Sequence, residues 1–216
     1  MKNKMLKRSH LSEKTCRDII QLFCDDLTAT QIAAITGVSR VTINNYLKLI
    51  RTHIARHCED LRSARVGTTG SGRRTLFSVK EDGGIQPAFY GFYVENESLY
   101  TDELADLSRQ EIREFQQAAW LPSGEGPLHR YAAIADFNDW RLYRRDTVPG
   151  RQPQDGITIF WGNTRNRLLK FRGMNKNTLY LHVKESEFRY NYRAEDINQL
   201  LLNIIYQYPL HLSKRV

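Results

Sequence analysis

Residues 156–173 read Gly-Ile-Thr-Ile-Phe-Trp-Gly-Asn-Thr-Arg-Asn-Arg-Leu-Leu-Lys-Phe-Arg-Gly, an apolar start that continues into a basic stripe. Apolar residues at helical spacing predict a helix over residues 156–170. Two more helices are predicted over residues 176–191 and 195–206, and the last carries Ile and Leu side chains along one face. The C-terminal third of the chain is therefore expected to be mainly helical.

The middle of the chain favours strands. Residues 75–79, 88–94 and 98–101 are rich in the β-branched and aromatic side chains that are typical of strands. Residues 130–135 also have the pattern of a short buried strand, and residues 108–120 have that of a helix. Strands, a helix, another strand and then helices predict an α/β core.

Residues 11–58 have the features of three helices. Thr28 and Gln31 have the spacing of a capping box at the start of a short second helix. Gly37 suits the left-handed conformation that ends such a helix, and Ser39 suits the N-cap of a third. The third helix has an apolar stripe at Ile43, Leu47, Ile50 and Ile54.

A short helix, a glycine-containing turn and a second helix form a helix-turn-helix arrangement. With the apolar stripe inside, the outward face would meet the major groove of DNA, where Arg suits guanine and Asn suits adenine. The alternative is a plain three-helix core with a polar solvent face. The predicted DNA contacts are Ser39, Arg40, Thr42, Asn44, Asn45, Lys48 and Arg51.

Positive charge is concentrated at the two ends of the chain. Residues 1–74 carry 14 basic and 6 acidic side chains, residues 75–130 carry 4 and 10, and residues 131–216 carry 14 and 8. Clustered Lys and Arg favour a polyanionic partner such as nucleic acid, although a solvated charged surface has the same composition.

A Gly-rich, basic stretch separates two parts of different composition. Small residues and glycines of this kind are typical of a flexible linker. The sequence therefore predicts a helix-turn-helix domain over 1–62, a linker over 63–74 and an α/β domain over 75–216.

The pattern over residues 156–193 resembles the small DDE-type insertion-sequence transposases, and residues 138–143 resemble an Asp-x-Trp-Arg-x-Tyr segment of that family. In that family the helix corresponding to 156–170 begins Gly-Ile-Glu-x-Phe-Trp, and residues 181–191 also match the family signature. The resemblance implies an N-terminal helix-turn-helix followed by an RNase H-like core, and it implies DNA transposition and recombination by a mobile element. The basic stripe of this helix adds Arg165, Arg167, Lys170 and Arg172 to the predicted DNA contacts, with a solvated helical face as the alternative.

The resemblance implies metal-dependent chemistry, in which three carboxylates hold two Mg²⁺ ions for phosphoryl transfer. The three family positions are occupied here by Lys80, Asn138 and Thr158, none of which is a carboxylate. This departure predicts weakened or lost strand transfer, with Mg²⁺ as cofactor only if the protein is active. The substitute catalytic ligands that the sequence offers are Asp82, Asp136 and Glu185.

Several functional hypotheses follow. The first is a transposase-family protein that binds double-stranded DNA at the ends of its element, with a homodimer expected because two ends must be held together. The others are a non-enzymatic DNA-binding regulator derived from a transposase, a nuclease that uses the substitute ligands, and an unrelated helix-turn-helix regulator.

The remaining features favour a cytoplasmic protein. The chain has three cysteines, Cys16, Cys24 and Cys58, and an odd count in predicted helices favours reduced, buried thiols. No apolar run approaches the roughly 20 residues that span a membrane, so no membrane partner is expected. His53 and His57 lie four residues apart without a third metal ligand nearby, and they are predicted to lie on the surface.

Overall fold

The computed structural model describes residues 5–7, 11–66, 88–104, 106–117, 128–145, 156–170 and 178–211. Several predicted features lie outside these ranges. They are the strand over 75–79, most of the linker over 63–74, and the residues Lys80, Asp82 and Arg172.

Over the described residues the protein is a mixed α/β structure with seven helices and a four-stranded antiparallel sheet. The coarse α/β prediction is therefore confirmed. The chain divides into two compact units, one formed by Met1–Thr69 together with Tyr192–Val216 and the other by Gly70–Asn191. This division differs from the predicted domains, because the C-terminal stretch groups with the N-terminal helices.

The first unit contains four helices and a pair of short parallel strands. Its elements are β1 (Leu6–Lys7), α1 (Glu13–Cys24), α2 (Ala29–Thr36), α3 (Arg40–Val66), α7 (Ile197–Gln207) and β6 (Leu210–His211). The predicted apolar stripe of α3 is confirmed, because Ile43, Ile50 and Ile54 are fully buried and Leu47 is 3% exposed. Helix α3 continues beyond the predicted end at residue 58, so the first residues of the predicted linker are helical.

The C-terminal helix belongs to the core of this unit. Leu201 and Ile205 of α7 are fully buried. At the α1 surface, the Tyr206 hydroxyl donates a hydrogen bond to Glu13 at 2.9 Å, and Arg17 donates one to the Tyr206 hydroxyl oxygen. The N-terminal helices are therefore completed by a segment from the far end of the chain.

Among its described residues, the second unit contains the four-stranded sheet and three helices. Its elements are β2 (Phe89–Glu95), β3 (Ser98–Leu104), α4 (Arg109–Gln117), β4 (Ala133–Asp136), β5 (Arg141–Arg144), α5 (Gly156–Leu169) and α6 (Leu179–Asn191). The sheet order is β3-β2-β4-β5. Strand β5 was not predicted, and the strand predicted from residue 130 begins three residues later, because residues 128–130 form a turn.

Alternation along the strands separates the two faces of the sheet. One face carries Tyr90 and Phe92 of β2 and Ala133 and Ala135 of β4, which join the apolar cluster formed with α5 and α6. Over Phe89–Phe92, β2 is paired with β3 on one edge and β4 on the other, so this part of β2 has no edge left for another strand.

Candidate nucleic-acid interface and the predicted metal positions

The turn between α2 and α3 is fixed by local hydrogen bonds. The predicted capping box is present: the Thr28 hydroxyl accepts from the Gln31 amide, and the Gln31 side chain accepts from the Thr28 amide. Gly37 ends α2 in the left-handed conformation with φ of 69°, which a residue with a Cβ adopts only at a cost. Two residues later the Ser39 hydroxyl accepts from the Thr42 amide at 3.2 Å and begins α3.

One face of α3 is turned to solvent. Val41, Asn44, Asn45 and Lys48 are exposed and follow each other at helical spacing, opposite the buried stripe. Arg40 and Ser39 are exposed at the start of the helix, whereas Thr42 is half-buried and its hydroxyl is hydrogen-bonded to that of Ser39 at 2.9 Å. The structure thus brings the predicted contacts of the first two turns of α3 onto a surface that a ligand can reach.

The surroundings of this face are positively charged. Residues 27–58 contain four basic and no acidic side chains. Arg51 is half-buried, and its guanidinium lies 5.5 Å from the centre of the Phe23 ring, which holds the side chain against α1. The absence of carboxylates in this stretch of the sequence favours an anionic partner.

The position that the resemblance assigns to the third carboxylate holds the neutral Thr158, and a cation lies beside it. The Arg144 guanidinium donates a hydrogen bond of 2.7 Å to the Thr158 hydroxyl oxygen. Register explains the meeting: Arg144 pairs with Ala133, whose side chain lies on the sheet face that α5 covers. The Arg144 guanidinium repels Mg²⁺, and the Thr158 hydroxyl is a neutral group where Mg²⁺ prefers anionic oxygen ligands.

Asp136, one of the substitute ligands, stabilises a turn. It is 5% exposed, and its Oδ1 accepts hydrogen bonds from the amides of Asn138 at 2.8 Å and Asp139 at 3.4 Å. These bonds hold the β4–β5 turn, in which Trp140 has a φ of 54°. Asn138, at the family's second position, is exposed in the same turn.

Glu185, another substitute ligand, belongs to an ion cluster between α5 and α6. It is fully buried, forms an ion pair with Arg167, and accepts a hydrogen bond of 3.0 Å from Arg189. Arg167 also donates to the Ser186 hydroxyl at 3.3 Å. Arg167 is 9% exposed, so its predicted role as a DNA contact is replaced by this internal contact.

The two substitute ligands that the structure describes, Asp136 and Glu185, do not converge on one site. Strand alternation points Asp136 away from the sheet face that carries Ala135 and α5, whereas Glu185 lies on the helix side. Asp82 lies outside the described residues. Within the described ranges, no group of three or more His, Cys, Asp and Glu side chains is arranged to hold a metal ion.

A second buried ion pair was missed by the sequence analysis. Lys184 and Glu187 are each 1% exposed and meet at 3.0 Å. Glu187 also accepts from the Thr101 amide at 3.0 Å and from its hydroxyl at 2.6 Å, and Lys184 donates to the Thr101 carbonyl at 2.8 Å. A signal was available, because Lys184 and Glu187 lie three residues apart on one helix, the spacing at which opposite charges meet.

A polar cluster on β3 was also missed. Asp102 is 8% exposed and accepts a hydrogen bond of 3.0 Å from the Tyr131 hydroxyl. Burial and the adjacent Asp102 carboxylate raise the pKa of Tyr131, so it remains a hydrogen-bond donor. The Tyr131 ring packs where a Cβ on Gly91 would be, which explains the glycine in the middle of β2.

The remaining predicted contacts divide between surface and interior. Arg165 of α5 and Lys170, which directly follows α5, are exposed, as expected of DNA contacts. The surface prediction is wrong for His53, which is buried at 8% exposed, and His57 is half-buried with Nε2 at 3.1 Å from the Tyr192 hydroxyl. All three cysteines are free thiols; Cys16 and Cys58 are buried as predicted, whereas Cys24 is half-buried. None of the described helices is long and apolar enough to cross a membrane.

These observations define a mixed α/β protein in which α2 and α3 are joined by a turn that contains Gly37. The first turns of α3 carry exposed basic and amide side chains. Comparisons with protein-family models, curated proteins and solved structures found no match for this chain. The functional argument therefore rests on the residues and contacts described above.

Proposed function

We propose that this chain is a transposase-related DNA-binding protein that binds duplex DNA through the exposed face of α3 and does not carry out metal-dependent strand transfer. The observation that carries the proposal is the α2–turn–α3 geometry, in a stretch of sequence, residues 27–58, that contains no acidic side chain. Helices arranged in this way place the first turns of the second helix in the major groove. Basic side chains there displace counterions from phosphates, which supplies most of the affinity.

The second half of the proposal is supported by the family's metal positions. Mg²⁺ would supply activation of the attacking hydroxyl and stabilisation of the leaving oxygen. The described residues do not fit such ions, since Thr158 is neutral and is hydrogen-bonded to Arg144. Asp136 and Glu185 are engaged in a turn and in an ion cluster. Binding without cleavage is the activity that these contacts favour.

The test measures binding and cleavage on the same DNA. We expect the full-length chain to bind duplex DNA with a steep salt dependence and to leave it intact with Mg²⁺ or Mn²⁺. Arg40→Ala and Asn45→Ala should weaken binding, because both change exposed side chains of α3. Lys14→Ala is the control, since Lys14 is exposed on α1.

Two results would overturn parts of the proposal separately. Binding that is unaffected by both α3 substitutions would remove α3 as the interface. Metal-dependent cleavage by the unmodified chain would show that strand-transfer chemistry persists, and substitutions of Asp82, Asp136 and Glu185 would then locate its ligands. A homodimer remains a prediction, which sedimentation with and without DNA would test.

A further inference from the structure

The centre of the exposed face of α3 has an unusual composition for a surface. Val41 is 63% exposed although it is an aliphatic residue in the first turn of a well-capped helix. Asn45 lies one helical turn further on, and Lys48 follows it on the same face. An apolar group, an amide and a cation thus follow in order along one line.

Each of these side chains matches a different group of duplex DNA. An aliphatic side chain in the major groove matches the C5 methyl of thymine, and an Asn amide matches the N6 and N7 atoms of adenine. The Lys ammonium matches a phosphate. Both base contacts indicate A·T pairs, and neither a methyl group nor a bidentate adenine edge is offered by a G·C pair.

The spacing along α3 suits neighbouring base pairs. Side chains four residues apart on a helix are about 5–6 Å apart at Cβ. Base pairs are stacked at about 3.4 Å. Val41 and Asn45 therefore reach base pairs one or two steps apart. Arg40, the residue suited to guanine, lies roughly 100° around the helix from Val41, towards the flank of this face.

We propose that α3 reads a major-groove site in which adjoining A·T base pairs meet Val41 and Asn45. This inference rests on the proposed function and adds the class of base pair that the surface recognises. This A·T readout explains why Val41 is exposed in the free protein, because contact with the thymine methyl would remove the side chain from water in the complex.

The experiment selects tight-binding duplexes from a random pool with the full-length chain. The enriched duplex is then remade with deoxyuridine in place of thymidine, which removes only the methyl groups, or with 7-deazaadenine, which removes the N7 acceptor. We expect enriched sites to contain adjoining A·T pairs. Deoxyuridine at the contacted position should weaken binding about four-fold, which corresponds to one buried methyl group of about 0.8 kcal/mol.

Variants identify the side chain that reads each group. Val41→Ala should remove most of the sensitivity to deoxyuridine, and Asn45→Ala should remove the sensitivity to 7-deazaadenine, which we expect to be roughly 5- to 150-fold. Ile35→Ala is the matched control, because Ile35 is 62% exposed on α2 and outside this line. It should leave the sensitivity to both analogues unchanged.

The outcomes separate this inference from the proposed function. Enriched sites with G·C pairs at the contacted positions, or binding that neither analogue changes, would overturn the A·T readout while DNA binding stands. An equal loss of deoxyuridine sensitivity in Ile35→Ala would also overturn it. Failure of the chain to bind any duplex would overturn the proposed function and this inference together.

Discussion

Helix α3 of the first unit and the α5–α6 pair of the second unit both carry charged residues that the sequence marks as functional, but they use them in opposite ways. The basic and amide side chains at the start of α3 are exposed to solvent. Arg167 and Glu185 of α5 and α6 are buried against each other. A basic stripe therefore indicates a binding surface only where its side chains are exposed and are not paired with buried carboxylates.

The same comparison distinguishes carboxylates that could bind a ligand from carboxylates that stabilise the fold. Removing water from an ion pair costs free energy that the pair recovers only with good geometry and further hydrogen bonds. Glu185 has two arginine partners, and Glu187 has a lysine and two hydrogen bonds from Thr101. Carboxylates held in this way orient helices, and their negative charge is already compensated.

The largest expected effect comes from removing the buried carboxylate of the α5–α6 ion cluster. Glu185→Ala leaves Arg167 and Arg189 without the carboxylate that they share, so the free energy of unfolding should fall by about 3–5 kcal/mol. Urea denaturation followed by circular dichroism measures it. Arg165→Ala, an exposed substitution on α5, is the control and should change the same quantity by less than about 0.5 kcal/mol. A loss below about 1 kcal/mol for Glu185→Ala would show that the cluster contributes little.

Alanine substitutions at two glycines, one in each unit, should change the free energy of unfolding in opposite directions. Gly37 has a φ of 69° and open space around a built Cβ, so Gly37→Ala should cost about 1–2 kcal/mol from backbone strain alone. Gly162 lies within α5, also with open space, and Gly162→Ala should stabilise by about 0.5–1 kcal/mol. Thermal unfolding of both variants checks the signs. Destabilisation of equal size at the two positions would contradict the left-handed assignment of Gly37.

The smallest expected effect concerns pH in the first unit. Burial lowers the pKa of His57, with an opposing contribution from Asp60. A lowered pKa in the folded state means that the unfolded chain binds the proton better. His57 therefore contributes stability that is present above its usual pKa of about 6.5 and is lost as pH falls below that value.

The measurement for His57 is a difference between two proteins. The free energy of unfolding between pH 5 and 8 is compared for the unmodified chain and His57→Gln, so that other titrating groups are shared. The unmodified chain should lose more stability towards acid. Parallel curves would exclude a contribution from His57.

The parts of the fold that local chemistry determines were predictable. The capping box at Thr28, the left-handed Gly37 and the apolar stripe of α3 depend on neighbours in the sequence, and all three are confirmed. Strand β5 is only four residues long and is exposed or half-buried, so it lacked the apolar alternation that identifies a strand.

Long-range contacts were beyond a local analysis. Nothing in the spacing of Arg167 and Glu185 shows that α5 and α6 bring them together, and burial then changes a predicted DNA contact into an internal one. Arg144 meets Thr158 only because the β4–β5 register places it on the face covered by α5. Local sequence patterns therefore predict helices, caps and apolar stripes, whereas the partner of each charged side chain depends on contacts between residues that are distant in sequence.

The most direct test of the account measures the affinity for duplex DNA as a function of salt for the unmodified chain, Lys48→Ala and Lys14→Ala. Both substitutions remove one positive charge from an exposed helix position. We expect the slope of log K against log salt to become shallower by about 0.9 for Lys48→Ala, because one phosphate contact is lost. The slope for Lys14→Ala should equal that of the unmodified chain. Equal slopes for all three proteins would contradict α3 as the DNA-binding surface.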